Sequence, residues 1–269
     1  MADGNLGEMS FWDHVDALRG VLLRAGAVVL LMAIVFFAAM PEIFDRIILA
    51  PTRSDFCLYG LLASLGSVRG ITPDFNADFS VSLINIQLAS QFFIHISTSF
   101  WLALVFSFPI IIYLLWSFVA PGLYEREKRG ARTAFLFGNV MFFIGVAVGY
   151  FLVFPLTLRF LAGYQVSELV PNQISLDSYM DNFLMLILVM GIIFELPLLA
   201  WLLGKTGLLT RSFFSAYRRH AVVVLLILAA VVTPTGDPFT LTVVFLPIYL
   251  LWELSARFVP SRRHDTATA

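Results

Sequence analysis

Long apolar runs alternate with short polar segments along most of the chain, and this pattern predicts membrane-spanning helices. The apolar runs cover approximately residues 21–40, 96–119, 133–158, 182–204, 219–234 and 239–254. About 20 apolar residues suffice for a helix to cross a bilayer, and the first four runs meet that length. The last two runs are shorter, and a short span must thin the bilayer or draw polar groups inward. We therefore expect an all-α integral membrane protein with six helices, the final two of them short.

Prolines and polar clusters mark where these helices are expected to end or bend. Pro41 is expected to end the first span, because proline lacks the backbone N–H that continues a helix. The segment TPTGDP at 233–238 contains two prolines, a glycine and an acid, which predicts a turn between two helices. Four of the six spans contain an internal proline and are expected to be kinked: Pro109, Pro155, Pro197 and Pro247.

The distribution of positive charge predicts the orientation of the chain. With six spans both termini lie on one side, together with the loops 120–132 and 205–218 and the tail 255–269. That side carries 13 of the 17 lysines and arginines, and the other side carries four. Because cytoplasmic loops carry the excess of Lys and Arg, both termini are expected in the cytoplasm. The remaining loops are then extracytoplasmic: 41–95, 159–181 and 235–238.

The longest extracytoplasmic segment is expected to form a small ordered cap. Apolar residues at 43, 44, 47 and 48 predict a short amphipathic helix that Pro51 stops. Residues 79–87 partly alternate between apolar and polar side chains, which is typical of an extended segment.

Composition supports the membrane class and argues against several activities. The chain is 59% hydrophobic and 13% charged, with a mean hydropathy of +0.88, whereas soluble domains carry about 25% charged residues. The single cysteine, Cys57, cannot form an intramolecular disulfide and is expected to be buried. The sequence has no Walker A loop, no H-E-x-x-H or G-x-S-x-G motif and no histidine pair at metal-ligand spacing. We predict no enzymatic activity, cofactor, bound metal or nucleic acid.

Three carboxylates are the candidate functional residues. Glu195 is the only formal charge within the fourth predicted span, and a charge at mid-membrane costs about 2.5–3.5 kcal/mol on insertion scales. It indicates either a functional contact or a protonated side chain that is hydrogen-bonded to a neighbouring helix. Asp16 and Glu127 lie beside apolar residues at the predicted cytoplasmic face. Each could be an ordinary solvated acid, but two carboxylates near aromatic rings can also bind guanidinium groups.

Four segments, in order, resemble motifs of the TatC family of twin-arginine protein translocation. The start FWDHVDALRGVLLR (11–24) is similar to an N-terminal H-x-x-E-L-R pattern, and LLWSFVAPGLYEREKR (114–129) to the first cytoplasmic loop. The segment FELPLLAWLL contains Glu195 and resembles a fourth-span motif, and TPTGDPF resembles the loop before the last span. The resemblance runs from Phe11 to Trp252.

This resemblance implies a function. TatC-like proteins bind the twin-arginine signal peptides of folded precursors at the cytoplasmic face of the bacterial inner membrane. They assemble with single-span TatA- and TatB-type proteins into an oligomeric complex, and the proton-motive force drives transport.

The resemblance also implies site residues. Glu127 and Phe118 match loop positions used in signal recognition, and Arg19 belongs to the N-terminal pattern. The residues expected to shape the loop are Pro121, Gly122, Leu123 and Tyr124. The other matches are Pro51 and Phe92 in the cap, Glu195 in the membrane and Asp237 in the last external loop.

Two positions depart from the family pattern. Ala17 stands where the family has a glutamate, and Asp16 is the candidate substitute, although one residue rotates a helical side chain by about 100°. Leu241 stands where glutamine is usual.

Two other functions are compatible with the residues alone. One is an ion-coupled secondary transporter with Glu195 as its proton site, although such transporters usually show internal repeats and none is evident here. The other is a passive membrane scaffold.

Overall fold

The structure is a computed structural model that describes residues 11–62, 80–119, 125–167, 169–205 and 208–259. It is mainly helical. The helices are α1 (Phe11–Ile43), α2 (Ser90–Val119), α3 (Glu125–Val148), α4 (Phe154–Gly163), α5 (Leu176–Ile193), α6 (Leu196–Lys205), α7 (Arg211–Ala216), α8 (Arg218–Val232) and α9 (Pro238–Phe258). The two short strands are β1 (Leu83–Ile84) and β2 (Ile174–Ser175).

Five helical segments of the described chain are long and apolar enough to cross a membrane. They are Val15–Leu62, Ser90–Phe118, Thr133–Gly163, Leu176–Lys205 and Pro238–Phe258. The multi-pass membrane protein expected from the hydrophobic pattern is therefore confirmed. Helix α8 has only 15 residues, so a sixth span through it stays a prediction, as does the side on which each terminus lies.

The prediction that Pro41 ends the first helix is wrong. Helix α1 passes through Pro41 to Ile43 and continues as a π-helix over Phe44–Ile48. Proline removes one backbone donor from a helix, but a neighbouring helix can satisfy the carbonyl that is left over. Here His95 of α2 lies 2.9 Å from that carbonyl.

Several other helices are longer than predicted, because hydropathy detects the apolar part of a helix and not its polar ends. Helix α2 begins at Ser90 rather than near residue 96. Glu125 begins α3, so most of the charged part of the predicted loop 120–132 is helical. Helix α9 was predicted to be a short span over 239–254, but it has 21 residues. Three predicted loops also lose residues to helices: 159–181 to α4 and α5, 205–218 to α7, and 235–238 to α9.

The segment after α1, which we call the cap, contains short helical and extended elements over its described residues. The π-helix Phe44–Ile48 is followed by a 3-10 helix over Ala50–Thr52, where Pro51 lies. Strand β1 falls within the segment predicted to be extended and pairs in parallel with β2, Leu83 opposite Ile174. Cys57 is exposed, which corrects the expectation that it is buried.

Two tyrosine hydroxyls of the bundle bond to the cap, and a third bonds within the cap. Tyr150 donates to the carbonyl of Ile47 at 2.8 Å, Tyr179 donates to the carbonyl of Ile48, and Tyr59 donates to the carbonyl of Pro51 at 2.8 Å. Carbonyls at the ends of helical segments need partners outside the regular helix. The bonds from Tyr150 and Tyr179 therefore join the non-α backbone of the cap to the transmembrane bundle.

Helix α3 and the π-helix Gly149–Val153 that follows it pack closely on α5 at two glycines. A Cβ atom added at Gly145 would lie 2.5 Å from the carbonyl oxygen of Met190, and one at Gly149 would lie 2.9 Å from the Cα of Ile187. Both contacts are shorter than a side chain allows, so only glycine permits this approach. Helix α5 is thereby fixed, and with it the helix break that follows.

Candidate functional site

The fourth apolar segment is interrupted at Glu195. Helix α5 ends at Ile193 and α6 begins at Leu196, with Phe194 and Glu195 in a turn between them. The N–H of Glu195 donates to the carbonyl of Ile192 at 3.0 Å. This bond joins residues three positions apart, whereas an α-helix joins residues four positions apart. Pro197 accounts for the break, because it has no N–H to continue the helical pattern. One kinked span was predicted over 182–204, whereas the structure contains two helices with Glu195 at their junction.

The Glu195 carboxyl group lies against Gly138 of α3. A Cβ atom added at Gly138 would lie 2.9 Å from Oε2 of Glu195 and 2.6 Å from Cδ2 of Leu198. Oε1 of Glu195 is buried and has no hydrogen-bond partner among the described residues. A buried polar atom without a partner is costly. The site can therefore accept a hydrogen bond from a group outside the described chain.

One end of the bundle carries two of the predicted signal-binding residues of α1. Helices α1 and α2 run antiparallel, since Phe37 stacks on His95 and Phe36 packs on Phe106 with centroids 5.1 Å apart. The start of α1, with Asp16 and Arg19, therefore lies toward the end of α2. Both side chains are exposed to the surroundings.

Phe118 and Glu127 belong to the same end. Phe118 is half-buried near the last residue of α2, and Glu127 is in the first turn of α3. The intervening residues 120–124 can span no more than about 20 Å, so the two helix ends are neighbours. The side chain of Glu127 lies outside the described part of the structure, as do Pro121, Gly122, Leu123 and Tyr124.

Of the predicted cap residues, Pro51 is buried and Phe92 is exposed. The carbonyl of Pro51 accepts the hydroxyl of Tyr59, which places it in the framework of the cap. Phe92 is 61% exposed and its ring packs edge-on against Phe93. Of the two predicted cap residues, Phe92 and not Pro51 is exposed for contact with another molecule.

Asp237 caps the start of α9. Its Oδ1 accepts the N–H of Thr240 at 2.7 Å and its Oδ2 accepts the hydroxyl of Thr235 at 2.6 Å. Partial burial acts to raise the pKa of Asp237, but the hydrogen bonds from Thr235, Thr240 and Phe239 outweigh it, and the pKa is lowered. Gly236 precedes it with a φ of 61°, a conformation that glycine adopts readily. The aspartate therefore shapes the turn between α8 and α9.

Several residues at these sites were not predicted from the sequence. Gly138 gives no signal, because its role depends on the position of Glu195 in a different helix. His95 could have been found, since Pro41 leaves a carbonyl without its helical donor and histidine is the first ionisable residue of the next span.

An ion pair between Arg218 and Glu253, with Nε and Oε1 2.8 Å apart, joins α8 to α9 at the end opposite Asp237.

Comparisons with known proteins find relatives of this chain. The family model described as Sec-independent protein translocase protein (TatC) matches residues 13–247. The TatC protein of Blattabacterium sp. subsp. Periplaneta americana (strain BPLAN) is 32% identical over 250 residues, which is 92% of this chain and 94% of that protein. The TatC protein of Helicobacter pylori (strain ATCC 700392 / 26695) is 40% identical over 174 residues, 65% of this chain and 68% of that protein.

A solved structure is also similar. The crystal structure of the twin-arginine translocase receptor TatC in DDM has a TM-score of 0.71 and 27% sequence identity, and the match covers 92% of this chain and 99% of that one.

Proposed function

The chain belongs to the TatC family and is a subunit of the twin-arginine translocase, and from this premise we propose that it is the subunit that binds twin-arginine signal peptides. The observation that carries the proposal is the meeting of three helix ends. Asp16 and Arg19 on α1, Phe118 on α2 and the first turn of α3 with Glu127 lie at one end of the bundle. We infer that this end faces the cytoplasm, because most of the lysines and arginines lie there.

The chemistry of this end suits a pair of arginines. A carboxylate binds a guanidinium group bidentately, and an aromatic ring stacks on its planar face. Glu127 supplies the main carboxylate of the proposed site, and Phe118 supplies the ring. Asp16 is exposed and is therefore able to serve as the second acid in place of the family glutamate that Ala17 replaces. Pro121, Gly122, Leu123 and Tyr124 shape the loop between Phe118 and Glu127.

The proposal extends to assembly with single-span TatA- and TatB-type partners in an oligomeric complex of the inner membrane. Glu195 contributes a buried oxygen that has no partner among the described residues, and a polar side chain on a partner helix would satisfy it. Pro51, Phe92 and Asp237 organise the opposite side. Transport is driven by the proton-motive force, and α8 crosses the membrane as a sixth, short span.

The test compares two neighbouring glutamates in the first turn of α3. Glu127→Gln is expected to lower binding of a twin-arginine precursor to membranes by tenfold or more, because loss of a charged partner leaves an arginine unpaired. Glu125→Gln removes the same charge two residues away and is expected to retain binding. Unchanged binding in Glu127→Gln, with the protein inserted in the membrane, would overturn the proposal.

The alternative of an ion-coupled transporter is not favoured by family membership. A passive scaffold predicts that Glu127→Gln leaves both export and assembly intact. Loss of export in that variant, with assembly intact, argues for the receptor.

A further inference from the structure

A small apolar groove lies near the end of the bundle that carries the proposed signal-peptide site. Its volume is about 200 Å³. Three helices line it: α3 through Thr133, Ala134 and Phe137, α6 through Leu198 and Trp201, and α9 through Phe258. None of the described lining residues is acidic. Thr133 is the first residue of one candidate membrane span and Phe258 is the last residue of another, so we place the groove near one membrane surface.

A cation stands at the mouth of this groove. The Nζ atom of Lys205, the last residue of α6, lies 4.2 Å from the centre of the Trp201 ring. Lys205 is exposed and forms no ion pair within the described chain. Arg218 is in a different situation, because Glu253 holds it in a two-point ion pair. Among the described residues Lys205 therefore keeps an unpaired charge, while the charge of Arg218 is neutralised by Glu253.

We propose that the groove binds an anionic phospholipid, with its phosphate at Lys205 and one acyl chain between α3 and α6. Trp201 sits where the two parts of such a lipid meet, which is the position that tryptophan prefers at a membrane surface. Basic pockets between transmembrane helices bind anionic head groups in this way. Glu195 is not among the residues that line this site.

The size of the groove favours a lipid chain over a protein partner. A helix is 10–12 Å across with its side chains, and this space is smaller than the 300–1,000 Å³ clefts that hold drug-sized ligands. A hydrocarbon chain is thin enough to enter. The combination of an apolar interior with one exposed cation at its mouth matches an amphipathic anion.

The experiment measures lipid retention by native mass spectrometry. The purified protein in detergent is given equal amounts of phosphatidylglycerol and phosphatidylcholine with the same acyl chains. A cation near the membrane surface is worth about fivefold in affinity, so the wild type is expected to retain about five times more phosphatidylglycerol. Lys205→Gln is expected to bring the ratio close to one.

Two further variants distinguish lipid binding in the groove from a general attraction of anionic lipids to positive charge. Arg219→Gln removes the same charge from an exposed position that does not line the groove and is expected to keep the wild-type ratio. Ala134→Leu fills the groove and is expected to lower retention of both lipids. Equal retention of the two lipids by the wild type would overturn the proposal, as would an equal effect of Lys205→Gln and Arg219→Gln.

Discussion

The imidazole Nε2 of His95 lies 2.9 Å from the backbone carbonyl oxygen of Phe37, and the His95 ring stacks on the Phe37 ring with centroids 4.0 Å apart. In an α-helix this carbonyl accepts the N–H of the residue four positions later. That residue is Pro41, which has no N–H. His95 of α2 therefore supplies a donor that α1 lacks, and the two helices are joined where proline would otherwise weaken the first.

Replacement of His95 by alanine is expected to lower the free energy of unfolding by about 1–3 kcal/mol, because it leaves the Phe37 carbonyl unsatisfied. His95→Gln keeps a side-chain donor and is expected to recover part of the loss. The measurement is denaturant unfolding in detergent micelles. In a Pro41→Ala background the helix regains its own donor, so the His95→Ala effect should shrink. An effect of the same size in both backgrounds would contradict the account.

The limits of prediction from sequence follow from the same contact. Hydropathy located the apolar runs, and the cluster TPTGDP correctly predicted the turn before α9, because both are local properties of the chain. Pro41 was expected to stop α1, and the reason that it does not is His95, 54 residues away. A prediction from the residues around Pro41 does not include a hydrogen-bond donor on another helix.

The cap and the break at Glu195 illustrate two further limits. The pairing of β1 with β2 joins Leu83 to Ile174, and no local pattern specifies such a distant register. Glu195 was predicted to be a candidate functional residue because charge in an apolar run is rare. Gly138 was not predicted, since its contacts appear only when Glu195 and Leu198 are packed against it. The chemistry of a site residue can be predicted from its type, while its surroundings come from the fold.

A second prediction concerns the close approach of α5 to Gly145. Gly145→Ala places a Cβ atom 2.5 Å from the backbone carbonyl oxygen of Met190, and such overpacking costs about 1–3 kcal/mol. Gly26→Ala is the matched control, because nothing lies within 4 Å of its added Cβ. There alanine should be neutral or stabilise the helix by up to about 1 kcal/mol. The check is the free energy of unfolding of each variant, and equal values for the two would refute the packing argument.

The cap of α9 gives a prediction that depends on pH. Asp237→Ala is expected to cost about 0.5–2 kcal/mol at neutral pH, as for other N-caps. The pKa of Asp237 is lowered in the folded protein, so its contribution is complete above the unfolded-state pKa of about 3.9 and is lost as the pH falls through the folded value. Thermal unfolding of wild type and variant between pH 7 and pH 3 should therefore converge at the acid end. A difference that stays constant or grows toward low pH would argue against a charged cap.

The hydrogen bonds from tyrosines to the cap predict a loss of stability when one hydroxyl oxygen is removed. Tyr150→Phe deletes the hydroxyl that donates to Ile47 and is expected to cost about 0.5–1.5 kcal/mol. Tyr164→Phe is the control, since Tyr164 is 64% exposed and its hydroxyl has no partner within the described residues. Limited proteolysis of the cap, compared between the two variants, measures the effect. Equal cleavage would show that Tyr150 does not hold the cap.

We propose that the end of the bundle with Phe118 and Glu127 receives a twin-arginine signal peptide. The most direct measurement places a photoreactive amino acid at position 118 and follows crosslinking, in membranes, to a signal peptide and to its Lys-Lys variant. Lysine lacks the planar fork that pairs with a carboxylate, so we predict a crosslink that requires both arginines. Equal crosslinking of the two peptides, or none to either with the protein correctly inserted, would contradict the receptor function.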